Sequence, residues 1–218
     1  WTELEQLWRA SIADLAALRF RPRHAGAVEL PAAGLPWFMA LFGRDTLIAS
    51  YQALPFLPDL ARAALRTLAA LQATSDDPER DAEPGKIIHE LRSGELAAFG
   101  DSPHSPYYGS ADATPLFLVL LDEYHRWTGD DVLVRELEPN ARAALRWIDR
   151  YGDRDGDGFV EYATRNPMRG LRNQCWKDSW NSIVFADGSI AEPPIASCEV
   201  QGYVFDAKRR CARLAREV

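Results

Sequence analysis

The sequence predicts an all-α protein with short β-hairpins inside long loops, and three observations support this fold class. Six segments place apolar residues three or four positions apart, which is the spacing of one helix face. The second and third segments, and likewise the fourth and fifth, are joined by short turns, as in helical hairpins. The long loops at 21–44, 74–111 and 152–198 contain only two strand-like runs, at Lys86–Leu91 and Gly158–Tyr162.

The first helical segment precedes the first long loop, and the second and third follow it. A segment near 2–20 carries a single apolar stripe. The second follows Asp45 and ends before Pro55, because proline disfavours helical backbone in the residue before it. The third begins at about Pro58, since proline fits the first turn of a helix, and runs through Leu71.

The last three helical segments lie in the second half of the chain. The fourth begins at Asp112 and is almost wholly apolar over Pro115–Leu121, which predicts deep burial. The fifth spans about Asp131–Tyr151, and the sixth starts near Glu199. Loops as long as those between the segments usually carry function or are disordered. Their aromatic residues favour function: Trp37, Phe38, Tyr107, Tyr108, Trp176 and Trp180.

Composition limits the classes of partner. The 218 residues carry a net charge of −7, which argues against nucleic acid and anionic membranes and is compatible with a neutral ligand such as a sugar. No apolar run approaches the ~20 residues of a membrane span. The amphipathic start has neither the basic residues nor the cleavage site of a signal peptide. Three cysteines without metal-ligand spacing indicate free thiols, and we expect a cytoplasmic protein.

Three polar clusters recur along the chain at nearly equal intervals. Asp45 and Asp112 are 67 residues apart, and Asp112 and Asp178 are 66 apart. Stacked helical hairpins would bring the long loops to one end of the array, so we expect these three aspartates to line a common pocket. The alternative is a coincidence of two intervals.

The first cluster is Phe42–Thr46, preceded by Trp37. An adjacent arginine and aspartate at a helix start give a donor fork and an acceptor for ligand hydroxyls, which makes Phe42, Arg44 and Asp45 candidate binding residues. Alternatively, Asp45 is an ordinary helix N-cap and Arg44 a surface charge.

The second cluster is His104–Pro115. Tyr107 and Tyr108 offer a stacking surface, and Asp112 has the position of a helix N-cap. His104 is more typical of a loop hydrogen bond than of catalysis. An earlier part of the same loop supplies three further candidates for the pocket lining: Lys86, His89 and Glu90.

The third cluster is Gln174–Ser182, a polar loop with two tryptophans. Aromatic rings stack on the C–H faces of sugars, so Trp176 is a candidate binding residue; alternatively, Trp176 and Trp180 fill the core. Glycoside hydrolysis needs one carboxylic acid to protonate the leaving oxygen and a second carboxylate to activate water or attack the sugar. A partly apolar setting beside the tryptophans favours a protonated carboxyl at Asp178. Lys177, the remaining candidate contact, is expected to point outward.

Asp153, Asp155 and Asp157 match the first half of a calcium-binding loop, with glycine at the sixth position. The twelfth position is Thr164 rather than the bidentate glutamate. The pattern therefore favours a tight Asp/Gly turn over a calcium site. We expect no other cofactor.

Several segments together resemble the bacterial glycogen-debranching, amylo-α-1,6-glucosidase-type members of the six-hairpin glycosidases, which are related to glucoamylases and trehalases. The resemblance covers about 35–210 and depends on five segments in chain order: Leu35–Thr46, Glu83–Glu90, Tyr107–Pro115, Asp153–Tyr162 and Gln174–Ser179.

This resemblance implies an (α/α)6 toroid of twelve helices, of which residues 1–218 form roughly the N-terminal half of the catalytic domain. It also implies an inverting mechanism on α-glucosidic linkages. Arg44 and Asp45 would hold hydroxyls of the terminal glucose, and Asp178 would be the general acid. The catalytic base of the family lies in the second half of the toroid. Trp180 and Asn181 stand where the family commonly has Gly-Asp, so an amide replaces an acid beside Asp178.

Two classes of function follow from these patterns. The first is an α-glucosidase or debranching hydrolase whose partners are an oligosaccharide substrate and the second half of the toroid. The second is a non-catalytic sugar-binding or interaction module on a helical-hairpin scaffold, because a fold alone does not define a function. In both cases a half-ring would expose an apolar flank, and we expect it to be covered by the missing half or by self-association.

Overall fold

The computed structural model describes residues 1–22, 28–93, 99 and 106–218, and this part of the chain is mostly helical. Its α-helices are α1 (Thr2–Ala17), α2 (Gly43–Ala53), α3 (Pro58–Ala70), α4 (Ala113–Thr128), α5 (Asp131–Trp147) and α6 (Cys198–Glu217). A 3-10 turn at Pro78–Arg80 and a π-helical turn at Ile148–Gly152 complete the helical elements of these ranges. All six predicted helices are therefore confirmed. The largest shifts are the end of α1, at Ala17 rather than near residue 20, and the end of α5, which gives way to the π turn. Helix α2 begins two residues before Asp45.

In the described ranges, four two-residue strands form two antiparallel pairs. β1 (Arg19–Phe20) pairs with β2 (Leu30–Pro31), and β3 (Leu41–Phe42) pairs with β4 (Glu90–Leu91). The strand predicted over Lys86–Leu91 is thus confirmed only for its last two residues.

The strand predicted over Gly158–Tyr162 is wrong, because this stretch contributes only an isolated bridge between Tyr162 and Ile195. The Asp153 carboxylate accepts the backbone N–H groups of Gly156 and Gly158, so these donors are used inside the turn rather than in a ladder.

Helix α4 occupies the centre of the structure. It contacts α2, α3, α5 and α6, and every residue from Ala113 to Asp122 is buried, as the apolar run predicted. The chain therefore has one continuous core, in which α2 and α6 lie on either side of α4. Among the described helices, none combines the length and the apolar character that a membrane crossing requires. The three cysteines are free thiols.

Helix α1 departs from the pattern of the other helices, because none of its residues is buried. Its apolar stripe is exposed, and Trp8 makes an edge contact with Phe56 at 4.7 Å between ring centroids. The stripe indicates an amphipathic helix correctly, but amphipathicity alone does not provide a partner surface.

Candidate functional site

Arg44 is the centre of the candidate site and joins all three polar clusters. It is buried in the first turn of α2. Its Nη1 donates hydrogen bonds to Asp112 Oδ2 and to the carbonyl oxygen of Cys175, both at 2.9 Å. Its Nη2 donates to Asp178 Oδ2, also at 2.9 Å. One guanidinium therefore holds together loops that are far apart in the sequence, with the planar donor fork that arginine offers.

Gly43 explains why Arg44 lies so deep. Its N–H donates to the carbonyl oxygen of His89 at 2.8 Å, and a Cβ at this position would lie 2.1 Å from the carbonyl oxygen of Ile88. The start of α2 therefore lies directly against the backbone of the segment that leads into β4. Glycine is required here by the close approach of two backbones.

Asp112 is free to bind Arg44 because a neighbour caps the helix. Asp112 has the N-cap position of α4, as predicted, but its side chain makes no capping bond. Ser110 performs that role: its hydroxyl accepts the N–H of Ala113 at 3.2 Å and donates to Asp112 Oδ1. The fully buried carboxylate of Asp112 thus has a partner on each oxygen.

Asp45 adds a third carboxylate to this cluster. It is the third residue of α2, so it is not the N-cap that the sequence allowed as an alternative. Burial raises the pKa of Asp45; the charge of Arg44 opposes this effect, and the carboxylates of Asp112 and Asp178 add to it. A half-buried carboxyl that is pushed toward its protonated form is typical of functional sites.

Asp178 lies on the third loop, 20 residues before α6 begins, and 38% of its side chain is exposed. Asp45 and Asp112 lie at the starts of helices, whereas Asp178 does not. Its carboxylate contacts the Arg44 guanidinium, whereas the sequence indicated a partly apolar setting. The indole of Trp176 covers the same guanidinium at 5.1 Å, so that the cation lies between an aromatic ring and two carboxylates. Lys177 is exposed, as expected.

The β3–β4 pair forms another wall beside Arg44. His89 is buried with its ring edge-on to Phe42 and Tyr107, and burial lowers the pKa of His89 to about 4, so the ring is neutral at pH 7. Glu90 is buried in β4 and pairs with Arg92 at 2.6 Å.

Trp37 lies on the loop before β3 and is 79% exposed. The guanidinium of Arg92 lies over the rings of Phe38 and Phe42. An aromatic and cationic surface therefore borders the site on this side.

Three further predicted binding residues are buried and direct their polar groups into the protein. The hydroxyl of Tyr107 donates to Asp81 Oδ2, and the hydroxyl of Tyr108 donates to the carbonyl oxygen of Leu71, both at 2.8 Å. Lys86 is buried, and its Nζ donates to the carbonyl oxygen of Asp81 at 3.1 Å. A buried polar group needs a hydrogen-bond partner, and these three find theirs inside the protein rather than on a ligand.

Asp81 is the main residue of the site region that the sequence did not suggest. It has a left-handed backbone with φ of 51°, and its carboxylate accepts hydrogen bonds from Tyr107, Thr164 and Gln174. Because the carbonyl oxygen of Gln174 accepts the N–H of Ala111 at 2.7 Å, this network supports the loops that carry Asp112 and Asp178. Asp81 differs from the other loop aspartates in its left-handed backbone conformation, and the sequence does not show that conformation.

The Asp/Gly turn brings four carboxylates close enough to share an ion. One oxygen each from Asp153, Asp155, Asp157 and Glu161 lie within 4.8 Å of one another. The same carboxylates also accept backbone N–H groups of the turn, including that of Arg154 by Glu161 at 2.7 Å. These bonds are those of the tight turn that the sequence favoured.

His104 lies outside the described residues.

The chain was compared with known proteins. A scan against models of protein families finds no match, and a search of curated proteins finds no sequence of significant similarity.

Proposed function

We propose that the chain belongs to a glycoside hydrolase that acts on α-glucosidic linkages, of the amylo-α-1,6-glucosidase or debranching type, with an inverting mechanism. The single observation that carries the proposal is the contact of Arg44 with both Asp112 and Asp178, beside the half-buried Asp45. Glycoside hydrolysis requires carboxyl groups in different protonation states near a sugar-binding surface. The cluster offers three neighbouring carboxyl groups, and exposed tryptophans offer a surface for the sugar face.

The helical arrangement is compatible with the first half of an (α/α)6 toroid. Helices α2 and α6 flank α4, and α3 and α5 also contact α4. In a toroid α2, α4 and α6 would form part of the inner ring, with their first residues toward the active site. Arg44 and Asp112, near the starts of α2 and α4, are in contact, in keeping with this direction.

In the proposed mechanism, Asp45 accepts hydroxyls of the terminal glucose and Asp178 protonates the glycosidic oxygen. Arg44 holds one oxygen of Asp178, while the exposure of that side chain gives a ligand access to it. An inverting enzyme places its base about 6.5–9.5 Å from the acid, with room for a water between them. By the family resemblance that base comes from the second half of the toroid. Residues 1–218 alone would then bind sugar without turning it over.

Two observations favour a second candidate, a non-catalytic sugar-binding module. Trp176 and Trp180 are exposed, and a sugar-binding surface needs nothing more than such rings and hydroxyl partners. Asn181 is an amide at the position where the resembling family commonly has an acid. Binding without hydrolysis by a protein that contains both halves of the toroid would identify this class.

The test is hydrolysis of an α-1,6-linked glucoside by a protein that contains both halves. Asp178→Asn keeps the shape of the side chain and removes its transferable proton, so kcat should fall about 10²–10⁴-fold. The loss should be smaller with an aryl glucoside, whose leaving group needs less protonation. Asp45→Asn should mainly raise KM. Asp149→Asn is the matched control, because this exposed aspartate pairs with Lys208 on the surface.

A near wild-type rate for Asp178→Asn on the poor leaving group would remove Asp178 from the mechanism. A large fall of kcat in Asp45→Asn would then assign the acid role to Asp45, whose pKa is already raised.

A further inference from the structure

A polar cavity of about 270 Å³ lies between the C-terminal halves of α4 and α6. Every residue that lines it has an ionisable side chain. Two of these residues are aspartates, Asp122 of α4 and Asp206 of α6. The other five are arginines: Arg126, Arg209, Arg210, Arg213 and Arg216. The lining therefore carries a net charge of +3, in a chain whose net charge is −7.

Asp122 holds two of the arginines in place. Its carboxylate is fully buried and accepts hydrogen bonds from Arg210 Nη1 at 2.9 Å and from Arg213 Nε at 2.8 Å. The side chains of Arg210 and Arg213 are only 17% and 20% exposed. Their guanidinium groups donate further hydrogen bonds to three other carboxylates: Glu123, Asp206 and Glu217. This part of the lining is therefore ordered before a ligand binds, which reduces the entropy cost of binding.

The other three arginines have donors to spare. Arg126 makes only long contacts with Asp122 and Glu123, at 3.6 and 4.0 Å. In the described part of the chain, Arg209 and Arg216 have no carboxylate within ion-pair distance. Each guanidinium group carries five N–H donors, so the lining has more donors than its own carboxylates accept.

The ends of the helices do not account for the whole cluster. The C-terminal end of a helix attracts cations, and Arg126 and Arg216 lie in the last turns of α4 and α6. Arg209 lies about two turns before the end of α6, where this attraction has fallen off. An excess of arginine over carboxylate around one cavity is typical of the recognition of phosphate, whose oxygens accept paired hydrogen bonds from the guanidinium fork.

We propose that this cavity binds the phosphate group of a small molecule. Arg126, Arg209 and Arg216 donate to the phosphate oxygens, while Arg210 and Arg213 remain paired with their carboxylates and add positive charge behind them. The volume is just below the range of about 300–1,000 Å³ for pockets that bind drug-sized ligands, and it suits a phosphate, a pyrophosphate or the end of a phosphate ester.

The phosphate site is separate from the Arg44 centre. Arg126 follows Asp112 by 14 residues along α4, which corresponds to about 21 Å at the rise of a helix. The inference therefore does not depend on the proposed function, and binding to one site can be measured while the other is intact.

Calorimetric titration of the 218-residue chain tests the site. The probes are inorganic phosphate, pyrophosphate and glycerol phosphate, each at constant ionic strength because salt screens exposed charges. The wild type should bind pyrophosphate saturably. The double variant Arg209→Gln/Arg216→Gln should bind it about tenfold more weakly, because charge-assisted hydrogen bonds are lost.

The charge-matched control is Arg142→Gln/Arg146→Gln, since both arginines are exposed on α5 and neither lines the cavity. Circular dichroism verifies that each variant is folded. An equal loss of affinity in the control would assign the effect to the overall charge of the chain and overturn the site. Undiminished binding by Arg209→Gln/Arg216→Gln would also overturn it, as would the absence of saturable binding of all three probes by the wild type.

The probes also separate the two sources of a phosphate group. Saturable binding of glycerol phosphate that the double variant weakens supports a phosphate ester as the ligand. The same result with phosphate and pyrophosphate alone supports a free anion.

Discussion

Replacing Arg44 with methionine should destabilise the protein by about 3–5 kcal/mol. Methionine retains much of the apolar stem of arginine but removes the charge that faces Asp112, whose side chain is fully buried. Removal of one partner from a buried ion pair leaves an uncompensated charge, and this accounts for the large cost. The contact with the more exposed Asp178 contributes at most ~1 kcal/mol of the loss, because solvent screens that pair.

Urea denaturation followed by circular dichroism gives the free energy of unfolding for each variant. Asp178→Asn should cost no more than about 1 kcal/mol. The double variant Arg44→Met/Asp112→Asn should be more stable than Arg44→Met alone, because no buried charge remains unpaired. The reasoning is refuted if Arg44→Met loses less than about 1 kcal/mol, or if the double variant recovers nothing.

Two further predictions concern backbone contact and pH. Gly43→Ala should cost about 1–3 kcal/mol, because its Cβ would meet the carbonyl oxygen of Ile88. Gly202→Ala, in the interior of α6, should gain about 1 kcal/mol, because its Cβ would meet nothing within 4 Å apart from neighbouring backbone of its own helix. Thermal melts that rank the two variants the other way would contradict this. The lowered pKa of His89 means that the unfolded chain binds a proton between about pH 6.5 and 4 while the folded chain does not, so stability from this group is present above pH 6.5 and lost as the pH falls through that window. Urea midpoints measured across it should fall less steeply for His89→Gln, and equal slopes would exclude the effect.

The helices were predictable because their burial is periodic. A stripe at three- and four-residue spacing indicates which face will be apolar, and α4, which is buried nearly all round in its first half, has the least ambiguous pattern. The same pattern cannot show whether a partner surface exists. Helix α1 has a clear stripe and no buried residue, because burial depends on packing against distant elements.

The candidate site was predictable as a set of clusters, but not in its connections. The near-equal intervals between Asp45, Asp112 and Asp178 indicated a common pocket, and Arg44 brings Asp112 and Asp178 together. The inward direction of Tyr107 could not be predicted, since a tyrosine in a loop has the same sequence signature whether it faces a ligand or the core. Its direction is set by Asp81, which lies 26 residues earlier in the chain.

The two ion pairs of Arg44 span 68 and 134 residues of sequence. Closing such long chain segments costs entropy before the contacts form, so this centre should be assembled late in folding, after the local helices. Opening of the centre should then separate three distant segments at once rather than release a single loop. A ligand that binds there stabilises the contact between three segments that are far apart in the sequence. Its binding energy should therefore slow hydrogen exchange across α2, α4 and the third loop together.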